Sequence, residues 1–327
     1  ASPDRLLLQL SPLDLLKVGI SQNHLRTAGL IMAFFWGFLD DIEDALGVDL
    51  FKSLDKQLHA TDVDWIWLLL LGIPFFLLVS FIITLINTVL RHFDLRFWQT
   101  PTGFKVIGGL FTRQEQFAHF PKIQVVEWST NPIRRVFGLF SVRMAQAASA
   151  ALTYRQTLNI PGCFEQQVGA VRRAYFPEES RLTFEEHGVS PLIFWRMVLL
   201  RGVLPAGVMF LLTYGMLGWA ALWWGLMLPL ALYLSRVYHR NWRYYLSEEG
   251  LRTRSGIFTL RFILLKWYKV QAVRITQSLY QRRHGLANLI FYTAAGAVKI
   301  PFIELEKARL IRNFVLFKVA IDRRKWM

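Results

Sequence analysis

The residues that could carry catalytic chemistry in this 327-residue chain are few and scattered. Its seven histidines never form the H-E-x-x-H spacing of a zinc site, and Glu185-Glu186-His187 lacks a further ligand at metal spacing. The sequence also contains neither the G-x-S-x-G motif of a nucleophilic serine nor a phosphate-binding P-loop. We therefore predict that the protein is not an enzyme and that it binds no metal and no cofactor.

Cys163 is the single cysteine, so it cannot form a disulfide within the chain. It follows Gly162 at the expected start of a helix, where the helix N-terminus would lower the pKa of its thiol. The neighbouring Phe164 favours the alternative that the cysteine is buried and inert.

Arginines are the stronger candidates, because 38 Lys and Arg against 23 Asp and Glu give a net charge of +15. Near a membrane surface, each basic side chain adds about 1 kcal/mol of attraction to anionic headgroups. We predict headgroup or partner contacts at Arg134, Arg135, Arg282, Arg283, Lys269, Arg252 and Arg254. The alternative is that these residues form solvated turns that keep a tethered domain soluble.

Long apolar runs predict an integral membrane protein, since 54% of the residues are hydrophobic. Residues 65–90 carry no formal charge and would span roughly 39 Å as a helix, against a hydrocarbon core of about 30 Å. Residues 198–214 and 219–237 predict two further passes, broken near Gly215 and Gly218. A shorter apolar run at residues 27–39 can cross the membrane if its helix begins near residue 20.

Two arginines, Arg196 and Arg201, lie at the entry of the second predicted hairpin. An arginine at mid-bilayer costs about 2.5–3.5 kcal/mol, so we expect both to extend towards the interface. The alternative is that they line a polar path between the helices. Aromatic residues fall mostly in the predicted spans and strand cores, so the positive charge does not indicate nucleic-acid binding.

Charge assigns the sides of the membrane. Residues 40–64 have a net charge of −6, residues 91–190 of +4 and residues 236–327 of +14. The excess of Lys and Arg marks the cytoplasmic side, which places both large polar segments inside after two passes each. Within the acidic loop, residues 42–58 carry an apolar residue at every fourth position and predict an amphipathic helix. This helix either covers the ends of the spans or docks a cationic peptide.

The two polar segments are copies of each other. A shift of 147 positions aligns residues 96–144 with residues 243–291 almost end to end, with the identities Gly103/Gly250, Gly109/Gly256, Phe111/Phe258, Lys122/Lys269, Gln124/Gln271, Val126/Val273, Arg135/Arg282, Gly138/Gly285 and Leu139/Leu286. This similarity indicates a duplicated module.

Each copy has a β pattern followed by a helix. Residues 104–107 and 251–254 lead into glycine hairpins, and residues 123–128 and 270–275 are further strand candidates. The first closing helix has an apolar face of Phe164, Val168, Val171 and Tyr175. The second, over residues 303–317, has a predicted apolar stripe of Leu310, Phe314 and Phe317.

These motifs resemble those of the bacterial pleckstrin-homology-like membrane proteins of the YdbS/YdbT type. The first copy carries Gly109-Leu110-Phe111, a basic strand at residues 122–126 and a basic pair before Gly138-Leu139. The second copy repeats them as Gly256-Ile257-Phe258, residues 269–273 and residues 282–286. The resemblance implies a partly open β-barrel capped by a helix, multi-pass insertion and a shorter single-module companion. Some members of this group accompany systems of resistance to antimicrobial peptides.

The sequence therefore predicts an α+β membrane protein, in which helical transmembrane hairpins alternate with two PH-like β-barrel modules, each capped by a C-terminal helix. Residues 1–20 are predicted as a linker after a missing module, 21–92 as the first hairpin, 93–190 as the first module, 191–238 as the second hairpin and 239–327 as the second module.

We expect a non-catalytic scaffold of the bacterial cytoplasmic membrane with its modules in the cytoplasm. Its expected partners are membrane phospholipid and either the companion protein or further copies of the chain, in a role that includes resistance to bacteriocins. The alternative is a subunit of a membrane transporter or export complex.

Overall fold

The computed structural model describes residues 4–22, 24–46, 65–147 and 157–324. The chain divides into two compact units. The first contains Ala1–Leu8, Phe97–Val106 and Glu115–Met327, and the second contains Gln9–Arg96 and Ile107–Gln114. Of the amphipathic segment predicted at residues 42–58, residues 47–58 lie outside the described part of the chain.

Helices and strands alternate in two similar blocks. The strands are β1 (Arg5–Gln9), β2 (Arg96–Thr100), β3 (Gly103–Gly108), β4 (Gln114–His119), β5 (Ile123–Thr130), β6 (Phe140–Gln146), β7 (Thr157–Cys163), β8 (Glu185–Gly188), β9 (Arg243–Leu246), β10 (Gly250–Ser255), β11 (Leu260–Lys266), β12 (Ala272–Thr276), β13 (Leu286–Thr293) and β14 (Gly296–Glu304). The helices are α1 (Pro12–Ile20), α2 (His24–Leu46), α3 (Trp65–His92), α4 (Pro132–Val136), α5 (Glu165–Tyr175), α6 (Leu192–Val198), α7 (Leu204–Leu217), α8 (Met227–Asn241), α9 (Leu279–Arg283) and α10 (Leu305–Ile321). A π-helical turn, Leu199–Val203, joins α6 to α7, and a 3-10 segment, Gly218–Leu226, joins α7 to α8.

Three sheets contain these strands, in the orders β1-β2-β3-β4, β7-β6-β5-β11-β10-β9-β8 and β12-β13-β14. Each module thus has four strands, then three strands, then a closing helix. The duplication predicted from the sequence is present in the strand order itself.

A strand precedes each helical insertion and lies beside the strand that follows it. β8 pairs antiparallel with β9, with Gly188 opposite Arg243, and β1 is likewise the neighbour of β2. The helices are therefore inserted after the first strand of each module, not placed ahead of the module as predicted. Residues 5–20, predicted as part of a linker, contain β1 and the helix α1, whose cap Ser11 accepts a hydrogen bond from the backbone N–H of Asp14.

The sequence contains a signal for this extra strand that the 147-residue shift does not reveal. Ser11-Pro12-Leu13 and Ser190-Pro191-Leu192 follow β1 and β8 at matching places. They are 179 positions apart, because the first insertion is 32 residues longer than the second. A gapless comparison therefore misses the first strand of each module.

In the described part of the chain the sheets do not close into barrels, so the β-barrel form predicted for the two modules is not observed. β5 of the first module pairs antiparallel with β11 of the second, from Leu260 opposite Thr130 to Leu265 opposite Val125. Since β5 already pairs with β6 on its other side, and β11 with β10, neither strand has an edge left to close its own module. The result is one open seven-stranded sheet shared by both modules.

Side chains on both faces of the β5–β11 pair join the modules. On one face, the rings of Trp128 and Phe262 stack at 5.4 Å and 5°, and the guanidinium of Arg172 lies 5.2 Å from the Trp128 centroid. The guanidinium of Arg254 lies 6.0 Å from the Phe262 centroid. We call these four residues the junction stack: Arg172, Trp128, Phe262 and Arg254. On the other face, Arg261 forms an ion pair with Glu127 at 2.6 Å.

Lys269, predicted to contact a headgroup or a partner, is fully buried at the same junction. Its ammonium donates a hydrogen bond to the carbonyl of Pro121 in the first module. Burial, and secondarily the charge of Lys266, lowers the pKa of Lys269 to about 8. The counterpart in the first module, Lys122, is exposed.

The closing helices pack as predicted in the first module but not in the second. Val168, Val171 and Tyr175 of α5 are buried, as their spacing indicates. In α10 the buried residues are Ala308 and Val315, whereas the predicted stripe of Leu310, Phe314 and Phe317 is exposed. The sequence contains two apolar faces on this helix, and the smaller residues fit the closer approach to the sheet.

In the part of the chain that the structure describes, two helical stretches are long and apolar enough to cross a membrane, Leu70–His92 and Leu192–Asn241. The second folds back on itself, because α6 packs against α8 and Gly218 adopts a left-handed φ of 53° between α7 and α8. At Gly202 a Cβ would lie 2.7 Å from that of Ala231, so the two arms approach closely through small residues.

The second unit packs α1 and α2 against α3. Gly19 of α1 lies against Leu85, and the hydroxyl of Ser80 donates to the carbonyl of His24 at 2.9 Å. The apolar part of α2, Thr27–Phe38, is shorter than a full span.

Loss of the junction stack should destabilise the protein. Trp128→Ala removes a ring that is 5% exposed, and we expect a loss of about 3 kcal/mol, or roughly 6–12 °C in Tm. The buried Cys163 allows the measurement, since a thiol-reactive dye labels it only on unfolding. Leu310→Ala, at a residue 68% exposed, is the control and should leave Tm nearly unchanged. Equal effects of the two substitutions would contradict the assignment.

Burial of Lys269 should make stability depend on pH. In the unfolded chain this lysine has its ordinary pKa of 10.5, so between pH 8 and 10.5 the unfolded state binds more protons than the folded state. The contribution of Lys269 to the free energy of unfolding should therefore rise with pH across this window, by on the order of 2 kcal/mol. Burial raises the pKa values of Cys163 and Tyr175, which gives a slope of the opposite sign, so the Lys269 contribution is measured as the difference between the unaltered chain and Lys269→Met in chemical denaturation at several pH values. The matched substitution at exposed Lys299 should show no pH-dependent difference from the unaltered chain.

Candidate surface at the hairpin end of the modules

The β10–β11 hairpin of the second module ends beside the helix that leads into it. The Asn241 side-chain amide, at the end of α8, donates to the Gly256 carbonyl at 3.0 Å. Gly256 has a φ of 121°, and a Cβ there would lie 1.9 Å from the Thr259 carbonyl oxygen, so the turn requires glycine. This geometry presents Phe258, which is 65% exposed, at the hairpin end of the module.

The equivalent hairpin turn of the first module, which belongs to the second compact unit, repeats this arrangement. The backbone N–H groups of Gly109 and Leu110 donate to the carbonyls of Phe93 and Leu90 at 2.9 and 3.0 Å. These acceptors lie at and just beyond the end of α3. Leu110 is 45% exposed and Phe111 is 83% exposed. In each module, then, a glycine turn places exposed apolar side chains against the end of an apolar helix.

The first basic pair lies close to the second-module turn. Leu260, one residue after Thr259, is opposite Thr130, and the helix α4 begins two residues later. Asn131 caps α4 by accepting from the backbone N–H of Arg134 at 2.7 Å. Arg135 is exposed and Val136 is 82% exposed, so α4 combines a positive and an apolar surface. Arg134 is half-buried, and burial lowers the pKa of its guanidinium without depriving it of charge at neutral pH.

The second basic pair lies on α9, near the start of the second helical insertion. The ring of Tyr280 is 6.5 Å from that of Phe302, and the guanidinium of Arg196 lies 5.3 Å from the Phe302 centroid. Arg282 and Arg283 are exposed on the same short helix. Gln281, between Tyr280 and this pair, is buried and exchanges hydrogen bonds with Asn288, which fixes α9 to the sheet.

We call this surface the rim: the turn at Ile257 and Phe258, together with α4 and α9. Of the predicted site residues, the rim contains Arg134 and Arg135 on α4 and Arg282 and Arg283 on α9. The sequence signal for the exposed turn is the repeated glycine–aliphatic–phenylalanine motif, which marks a hairpin in the sequence but does not reveal that its phenylalanine is exposed.

Arg252 and Arg254 lie elsewhere, in a groove of about 710 Å³ between α5 and the shared sheet. The Arg252 guanidinium lies 4.4 Å from the Tyr245 centroid and 3.7 Å from the Glu179 carboxylate. Burial, more than the nearby charges, lowers its pKa. Arg254 belongs to the junction stack, and its buried Nε has no hydrogen-bond partner among the described residues. These two arginines are therefore placed at the junction and not on the rim.

The remaining candidate residues are Arg201 and Cys163, and both pack against other parts of the protein. The Arg201 guanidinium lies 5.8 Å from the ring of Tyr238, three residues before the end of α8. This contact directs the side chain towards the module end of the hairpin, which fits extension to an interface better than a path through it. Cys163 is buried, and burial raises the pKa of its thiol to about 12, in agreement with the inert alternative. Within the described ranges, no group of three or more His, Cys, Asp or Glu side chains is placed to hold a metal ion.

Comparison with known proteins identifies the modules. Residues 45–178 and 198–317 match the family model of the bacterial PH domain. The UPF0699 transmembrane protein YdbS of Bacillus subtilis (strain 168) is 30% identical over 82 residues. This alignment covers 25% of the present chain and 52% of the relative, so it spans about half the length of that protein. Each of the two matched segments contains apolar helix followed by most of one module, and together they cover well over half of the sequence. The chain is a membrane protein of the bacterial PH domain family.

Proposed function

We propose that this protein is a non-catalytic scaffold of the bacterial cytoplasmic membrane that contacts anionic lipid headgroups through the rim. The observation that supports this function is that each basic pair lies on a short helix near one end of the second insertion. α4 follows the residue opposite Leu260, beside the turn that contacts the end of α8, and α9 lies near Phe302 and Arg196 at the start of the insertion. Exposed apolar and basic side chains side by side suit the boundary between acyl chains and headgroups.

The connection between β8 and β9 supports two passes in the second insertion. Gly188 and Arg243 lie opposite each other on neighbouring strands, so the insertion starts and ends at one place. A membrane segment with that constraint has to cross an even number of times. With α3 and α2, whose apolar part is short for a span, as a further pair, the proposed topology has four passes, and the positive charge of residues 236–327 favours modules in the cytoplasm.

The scaffold role extends to partners that the sequence suggests, namely a single-module companion or another copy of the chain, and to resistance against antimicrobial peptides. The transporter alternative requires Arg196 and Arg201 to face a polar path. The ring contacts of both arginines with Phe302 and Tyr238 favour the scaffold.

The apolar turns should enter the membrane. With Cys163 buried, a fluorophore attached to Phe258→Cys or Phe111→Cys in the reconstituted full chain should report an apolar environment and be quenched by lipids brominated on their acyl chains. The control is Glu248→Cys, which is exposed at the opposite end of β10, about 20 Å away. Its label should remain in water. Equal quenching of all three labels, or of none, would contradict insertion of the turns.

The basic pair of α9 should select anionic lipid. Arg282→Gln combined with Arg283→Gln removes two positive charges at the rim, each contributing about 1 kcal/mol. The preference for phosphatidylglycerol over phosphatidylcholine, measured by lipid exchange in nanodiscs, should fall by up to roughly thirtyfold at low salt. The control is Arg309→Gln combined with Arg323→Gln, which removes the same two positive charges from exposed residues of α10 and of the segment that follows it. This variant should keep the preference. A preference that is unchanged in the first variant would exclude headgroup contact by α9.

A further inference from the structure

The junction between the modules uses one strand edge from each module and leaves the equivalent edges open. In the first module, the 147-residue repeat makes β4 the counterpart of β11; in the second, it makes β12 the counterpart of β5. β11 and β5 pair with each other, whereas β4 and β12 are the outer strands of their sheets in the described part of the chain. The chain therefore contains a second pair of strands, β4 and β12, that is equivalent to the junction pair, and these two strands do not pair with each other.

The repeat also fixes the register in which these edges would meet. In the junction, Ile263 is opposite Glu127 and Leu264 is opposite Val126. To find the equivalent pairs, we subtract 147 from each residue number in β11 and add 147 to each residue number in β5. Gln116 then lies opposite Arg274, and Phe117 lies opposite Val273. No like charges oppose each other in these pairs, and the second pair is apolar.

Among the described residues, a groove lies beside β4, where the partner strand would fit. A cavity of about 510 Å³ runs beside β4, lined by Glu115, Phe117, His119, Lys122 and Gln146, among others. One backbone acceptor on this strand, the Phe117 carbonyl, receives a hydrogen bond from the Gln146 side chain at 3.1 Å. Within the ranges that the structure describes, the Gln146 side chain thus satisfies one acceptor of β4, and no strand pairs with that edge.

Lys122 is a second, independent indication. Its counterpart Lys269 donates across the junction to the Pro121 carbonyl. The first module carries the same lysine at the same place, but there it is exposed on the groove beside β4. In the equivalent pairing, the acceptor for Lys122 would be the carbonyl of Tyr268 from the incoming module.

From these observations, we infer that β12 of one copy pairs antiparallel with β4 of a second copy, extending the internal junction from chain to chain. The contact is heterologous, since the two strands are different, so it produces a ring or an open row of chains in the membrane. Main-chain hydrogen bonds supply the affinity, as in other cases of strand addition. Because the junction stack has no counterpart in these strands, the contact between chains is weaker than the one within the chain.

Paired cysteines test the register in the full chain, reconstituted in vesicles. Directly opposite residues of an antiparallel pair have Cβ atoms about 4.5–5.5 Å apart, which allows a disulfide. Gln116→Cys with Arg274→Cys in one chain should give a series of crosslinked species under mild oxidation. The same substitutions in separate chains, mixed, should give dimers only. Phe117→Cys with Val273→Cys is a second pair on the other face that should behave alike.

Three controls make the result decisive. Glu127→Cys with Ile263→Cys, the same pair within the chain, should form an intramolecular disulfide and thereby shows that the chemistry works. Gln116→Cys with Ile275→Cys places the thiols on opposite faces and should not crosslink. Lys122→Met should reduce the crosslinking severalfold in the Gln116/Arg274 pair. Only monomers from both register pairs, or crosslinking by Gln116→Cys alone, would overturn the proposal. Because the rim residues are unaltered, lipid selection by these variants is measured separately and can fail or succeed independently.

Discussion

The pairing of β5 with β11 is the constraint from which the rest of the structure follows. It takes one edge from each module, which keeps both modules open and fuses them into one seven-stranded sheet. The junction stack on one face and the pair of Arg261 with Glu127 on the other determine the register, because a slip of one residue would turn each of these side chains to the wrong face. The second helical insertion is attached to strands of this same sheet. The orientation of the rim is therefore set by the junction.

The position of the insertions explains how a soluble type of fold is combined with a membrane anchor. A helix joined at one end only would leave the module free to tilt about a single link. Here both ends of the second insertion continue into neighbouring strands, β8 and β9, about 4.8 Å apart in the sheet. The two arms must then also lie close together, which the small residues Gly202 and Ala231 permit. A hairpin held at both ends keeps the short helices α4 and α9 at a fixed level relative to the apolar segment.

Much of this architecture can be predicted from the sequence, because hydropathy and the internal repeat are properties of contiguous segments. The glycine hairpins, the strands after Lys122 and Lys269, and the closing helix with Val168 and Val171 are examples. Pairings between distant segments could not be predicted. The β5–β11 contact depends on which of several edges meet, and the first strand of each module is separated from the others by the insertion. The burial of Lys269 and the exposure of Lys122, identical residues in the repeat, follow from that contact alone.

The duplication also separates what packing requires from what it does not. Gly109 and Gly256 are identical because their turns have φ values of 119° and 121°, where a Cβ would strike a carbonyl oxygen. Phe111 and Phe258 are identical too, yet their rings are largely exposed and contribute little to either core. Leaving a large apolar side chain in water at the same place twice forgoes the 1.5–3 kcal/mol or so that burial would supply. The ends of the apolar helices lie directly beside both turns, and this shared position is what supports the proposal that both phenylalanines enter an environment less polar than water.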